Sequence, residues 1–217
     1  MTKCLFFCFL IIQFNFLLSQ SNLEYDKILK IENLKFNDSE IRVYKDYQTS
    51  TGLELFRFYK DNNENWKAEF YNTVASKNNK DETIIRTKKS KLNSLKNFEL
   101  IWLQILDTQI IHLPKWEAFQ YKLKTINKEY QIEDGKLLSS TSKIAVVDGV
   151  SFYVKIKVGK KENEFIYYNP KSYLETYPNV DELLSFQELL NLISNEFNTL
   201  SLQKNTSEYR GVFYIIN

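Results

Sequence analysis

Thiol and imidazole chemistry are nearly missing from this chain. Its two cysteines, Cys4 and Cys8, both sit in the apolar stretch at the N-terminus, and His112 is the sole histidine. Beyond residue 8 there is therefore no disulfide, no thiolate nucleophile and no cysteine-ligated zinc. His112 stands in "TQIIHLPKW" between apolar neighbours, which reads as a packed or half-exposed imidazole. A lone histidine cannot supply a serine-type triad without an unusual base, nor the usual ligands of a catalytic zinc. Glycine is scarce as well, with five in the chain, and neither GxGxxG nor GxxxxGK(S/T) occurs, so no phosphate-cradling loop is available. "DNNEN" (residues 61–65) carries calcium-ligating atoms but lacks the glycine bend and the distal glutamate, and is read as a turn. The sequence thus assigns no catalytic residue, no metal site and no cofactor.

A dominant charge is also lacking. Lysine plus arginine total 29 against 27 acids, a formal balance of +2, with the signs intermingled. The basic stripe demanded by counterion release on nucleic acid is absent, so no nucleic-acid partner is expected. The densest basic run, "RTKKSK" (residues 86–91), follows "NNKDE" and reads as a solvated strand end or helix entrance. Arginine occurs only at Arg42, Arg57, Arg86 and Arg210.

What is present begins with an address. A short basic start precedes "CLFFCFLIIQFNFLLS" (residues 4–19), which is uncharged and ends in small or polar residues, the layout of a secretory signal. The run is shorter than the roughly 20 apolar residues of a membrane span and is interrupted by Gln13 and Asn15, so export without stable membrane insertion is expected. The two cysteines fall inside the run, too early for a lipidated residue. Residues 20–217 then form a single expected domain, long enough to bury a core without covalent staples. Two similar lobes, each strands followed by a helix, over about 39–113 and 119–217, are the alternative.

Residues 20–38 mix polar and apolar side chains and read as an ordered lead-in. Period-two alternation follows over residues 40–47, 52–60, 65–74 and 82–88, giving an expected meander of four strands. Spacings of three and four over Leu92, Leu95, Phe98, Trp102, Ile105 and Leu106 predict a helix over about 91–107, with Ser90 or Ser94 as its cap. Pro114 closes that segment. "FQYKLKTI" (residues 119–126) alternates and is expected as a strand. Asp134-Gly135 and Asp148-Gly149 each lie between strand-like runs, and type I′ hairpins are expected at both.

In "VSFYVKIKV" one face carries Val150, Phe152, Val154, Ile156 and Val158, and "EFIYYN" continues the ladder. Most aromatics there are assigned to the core, leaving Tyr153 plus one of Tyr167 or Tyr168 outward, with Tyr153 and Tyr168 as the candidate binding residues that could stack on a sugar or a peptide. "YPNVDELLSFQELLNLISNEF" predicts an amphipathic helix over about 180–197, capped by Asn179 with Glu182 as reciprocal partner. "YRGVFYIIN" ends the chain as an expected strand that pairs into a sheet. The expected class is α+β, built from antiparallel meanders and two amphipathic helices.

The signal end "LLSQS", the "DGVSFYV" hairpin and "YYNPKSYLETYPNVDELLSFQELLNLI" resemble uncharacterised exported proteins of Bacteroidetes, of flavobacterial type. That resemblance implies export, to the periplasm or beyond the cell, and a bacterial source, but no activity. The expected function is a non-catalytic exported protein that binds a partner protein or a cell-surface glycan. Two rivals are a carboxylate-dependent hydrolase of surface glycan, which needs two facing acids with one raised pKa, and a periplasmic inhibitor or immunity-type protein.

Overall fold

The structure, a computed structural model, describes residues 24–48, 50, 52–77, 80, 82–123, 127–144, 149–199 and 212–216. The expected export signal lies outside these residues, as do residues 209–211 at the start of the terminal strand expected over "YRGVFYIIN". A helical turn over residues 24–28 opens the lead-in, and four strands follow: β1 (Ser39–Tyr47), β2 (Leu53–Lys60), β3 (Trp66–Lys77) and β4 (Thr83–Leu92). Next come helix α1 (Phe98–Asp107), a 3-10 turn at Ile110–His112, the single-turn helix α2 (Trp116–Phe119) and a second 3-10 turn at Gln120–Leu123. Strands β5 (Asn127–Glu133), β6 (Lys136–Ile144), β7 (Val150–Val158) and β8 (Lys161–Tyr168) precede helices α3 (Pro170–Thr176) and α4 (Asp181–Phe197), and β9 (Val212–Ile216) ends the series.

The fold is α+β. β1 to β4 form the expected meander, and β7 and β8 return to the free side of β1, giving a six-stranded antiparallel sheet in the order β4-β3-β2-β1-β7-β8. β5, β6 and β9 form a separate three-stranded sheet. One face of the large sheet carries the apolar positions read from the alternation: Ile41, Val43, Phe56, Phe58, Val154 and Phe165. Against it pack Ile101, Trp102 and Ile105 of α1 and Leu183, Phe186, Leu190 and Ile193 of α4, spaced at three and four as a helix requires. Among the described residues no helix is long and apolar enough to cross a membrane.

Local geometry departs from the expected layout at identifiable points. α1 starts at Phe98 rather than near Lys91, because β4 continues to Leu92 in register with Ala68, and Asn97 caps the helix by accepting from the Glu99 N–H at 2.7 Å. Residues 119–123 are helical rather than extended: the turn buries Phe119 and Leu123 together and turns Tyr121 outward, a pattern whose alternating apolar letters imitate a strand. Asp134 and Gly135 both have positive φ, 50° and 72°, as a type I′ hairpin requires, and they join β5 to β6. The hairpin expected at Asp148-Gly149 does not form. β6 and β7 belong to different sheets, and residues 145–148 lie outside those described. α4 takes Val180 as N-cap without a side-chain bond, so the Asn179 box is not made, and Glu182 instead accepts from the Lys122 ammonium at 2.7 Å. α3 has no counterpart in the periodicity reading; its signal is Pro170 at the first helical position, where the missing N–H costs nothing.

The second face of the large sheet is covered by the lead-in. Leu29 and Ile31 are buried against Tyr44, Leu53, Leu55, Tyr71 and Tyr153. Residues 25–37 lie across β1 and β2 as a strap. Its polar ties are Tyr25 to Asp46 (2.8 Å), Tyr44 to Asp26 (2.6 Å), the Arg42 guanidinium to the Leu34 carbonyl (3.0 Å) and the Thr87 hydroxyl to the Ile28 carbonyl (2.9 Å).

Candidate functional site

Among the described residues, most buried ionisable side chains lie on the strap-covered face. Strand alternation sets Glu40, Arg42 and Tyr44 of β1 on that side, and register places Arg42 directly opposite Arg57 of β2, which is itself opposite Glu69 of β3. Two like charges directly opposed across a sheet repel. Glu40 resolves the conflict: fully buried, it accepts from Arg42 Nε at 2.6 Å and from Arg57 Nε at 2.7 Å, while the Asn37 backbone and amide hold its second oxygen at 2.9 and 2.6 Å. Asp26 lies 3.6 Å from Arg42 and Glu69 3.5 Å from Arg57. Lys89 of β4 then pairs with Glu69 at 2.8 Å, and Tyr59 and Tyr71 donate to the same carboxylate.

Electrostatics follow from this wiring. Burial alone would raise the Glu40 carboxyl, but the hydrogen bond from Arg57 and the charges of Arg42 and Arg57 hold it below the ordinary carboxylate range. Glu69 behaves alike: burial pushes it up, and Lys89 and Tyr71 bring it down. On the helix side, Lys45 is fully buried, over the Tyr47 ring at 4.7 Å and in register with Glu54. Burial, then Glu54, pushes the Tyr47 phenol up. These groups are tied into stable charge states, which suits architecture better than proton transfer.

Of the two tyrosines singled out by sequence, Tyr153 is 6% exposed. It lies beneath the strap, 5.3 Å from the Tyr44 ring and 6.5 Å from Tyr25, and donates to Glu164 at 3.0 Å. Burial, then the Glu164 charge, raises its pKa. Tyr168, in register with Ser151, is 37% exposed and meets the Trp116 ring edge-on at 5.7 Å. The structure therefore does not offer the two as one open aromatic surface. The strap, which the lead-in reading left without a location, is what removes Tyr153 from solvent.

An open depression of about 380 Å³ lies beside β8, lined by Lys115, Lys155, Glu162, Asn163 and Glu164. Its carboxylates are engaged, Glu162 with Lys157 at 3.2 Å and Glu164 with Tyr153, and Asn163 donates to the Ile110 and Leu113 carbonyls. His112 is exposed on its 3-10 turn. Among the described residues no three of His, Cys, Asp and Glu cluster as metal ligands do.

Outward-facing apolar side chains gather elsewhere. Val74, Ile84 and Ile85, at 47%, 38% and 40% exposure, stand on the far half of the β3–β4 hairpin, and Leu100 and Leu103 are exposed one turn apart on α1. The buried charge lattice escaped the sequence reading, although a signal existed: two of only four arginines fall on the polar side of adjacent alternating strands. No family model, curated protein or solved structure matches the chain.

Proposed function

We propose that this is an exported, non-catalytic interaction protein whose ligand is another protein or a cell-surface glycan. The observation that supports the reading most is where the free surface chemistry lies. The buried ionisable groups of the large sheet are committed to one another, whereas Val74 and Ile84, diagonal neighbours on one side of the β3–β4 hairpin, stand in solvent beside Arg86 and Lys88. Apolar side chains grouped with cations on a projecting hairpin are a contact surface before they are anything else.

The test is chemical cross-linking of the protein in its native cells, followed by mass spectrometry. A stoichiometric partner, or retention on the cells' own surface polysaccharide, is the expected result, lost in Val74→Glu/Ile84→Glu with the melting temperature unchanged. A hydrolase reading draws on the two carboxylates of the depression beside β8. Turnover of surface glycan by purified protein, abolished in Glu164→Gln, would replace the interaction reading with that one.

A further inference from the structure

We propose that the outer edge of β4 receives an extended acidic segment of a partner protein as a seventh strand; this deepens the interaction reading and rests on it. Among the described residues β4 is the terminal strand of the sheet and pairs only with β3, in register from Thr83 to Leu92. Alternate residues along its ten-residue length therefore present backbone N–H and C=O groups outward, a template about 30 Å long. The opposite edge of the sheet differs. There the Trp116 ring lies 5.7 Å from both Tyr167 and Tyr168, which point to opposite sides of β8, so the ring stands against that strand's outer edge.

Charge selects the occupant. β4 carries Arg86, Lys88, Lys89 and Lys91 and no acid, and of these only Lys89 meets a carboxylate among the described residues, that of Glu69. Arg86, Lys88 and Lys91 have no ion-pair partner among the described residues, whereas Lys60, Lys67, Lys122 and Lys157 each have one. Edge lysines commonly discourage pairing. Here they would set cation against cation if a second copy of β4 approached, which argues against self-association and for a segment rich in Asp or Glu. Beyond the cations, Ile84 and Ile85 project to opposite sides of the strand and remain exposed. The segment that fits has carboxylates along the Arg86-to-Lys91 half and β-branched or aromatic residues against the two isoleucines.

Fluorescence anisotropy with the full chain tests this, using a capped ten-residue peptide of alternating valine and glutamate, and its valine–lysine counterpart. The glutamate peptide should bind, weaken at 0.5 M salt, protect β4 amides from hydrogen exchange, and lose at least tenfold in affinity to Lys88→Glu/Lys91→Glu. The lysine peptide should not bind. A glutamate peptide N-methylated at alternate residues keeps its charge but cannot join a ladder. Equal binding by that peptide, equal binding by both charge types, or capture by anionic lipid vesicles without peptide binding would each overturn the proposal. If the peptide fails while the native cross-linked partner still depends on Val74 and Ile84, the edge proposal falls alone. If that partner is also absent, the interaction reading falls with it.

Discussion

Replacing Glu40 with glutamine removes one negative charge and leaves volume nearly unchanged, so its effect isolates the electrostatic role of the buried carboxylate. Arg42 and Arg57, both almost fully buried, would then oppose each other directly, with Asp26 and Glu69 as the remaining carboxylates, at 3.6 and 3.5 Å. Breaking a buried pair by neutralising one partner costs about 3–5 kcal/mol, a large share of the roughly 5–15 kcal/mol that stabilises an ordinary domain. Urea unfolding at pH 7 should show that loss as a lower midpoint with an unchanged slope. The pH dependence carries the sign. The folded carboxyl sits below its unfolded value of about 4.3, so its contribution is complete above that pH and disappears as pH falls through the folded value. The gap between wild type and Glu40→Gln should therefore narrow between pH 5 and pH 3. A difference below about 1 kcal/mol at pH 7, or one that stays constant down to pH 3, would refute the assignment of Glu40 as the counter-charge that permits the arginine pair.

Tyr153→Ala should cost about 3 kcal/mol, lowering the melting temperature by about 6–12 °C, whereas Tyr168→Ala should cost about 1 kcal/mol or less; calorimetry on both decides whether the strap seals the face as described. Gly149→Ala would set a Cβ 1.3 Å from Asn169 Oδ1, the acceptor for the Val150 N–H at 2.7 Å. Displacing that amide orphans a buried donor at about 1–3 kcal/mol, and in denaturant melts the double variant with Asn169→Gly should be no less stable than Asn169→Gly alone. Asn97→Ala removes the bond that starts α1 and should cost about 1 kcal/mol, read by urea unfolding, while Ser94→Ala should leave stability nearly unchanged.

Strands were legible because burial on one face writes period two into the letters, and β1, β2, β3 and β7 begin and end within a few residues of their expected bounds. α4 was legible for the same reason at period 3.6. Residues 119–123 were not, since a single helical turn offers too few positions to separate the two periods. The second face was misjudged because alternation reports polarity rather than exposure. Glu40, Arg42, Arg57 and Tyr153 read as outward from the core, and only the strap crossing above them turns a polar face into a buried one. The identity of their partners depends on register between strands, which no local pattern records. The basic run at 86–91 was readable as a strand end, but its position at the sheet's margin follows from topology.

Ile41 meets Ile156 across the β1–β7 pairing, so the centre of the large sheet closes between segments far apart in sequence. Contacts of such high order make folding slow, because the loop entropy is lost before the pairing is gained. Until β7 arrives, the margin of β1 that carries Ile41 and Val43 lacks its neighbour. Chains that have not yet captured β7 are thus the population most prone to misassembly, and shielding that margin during folding would raise the yield of native protein.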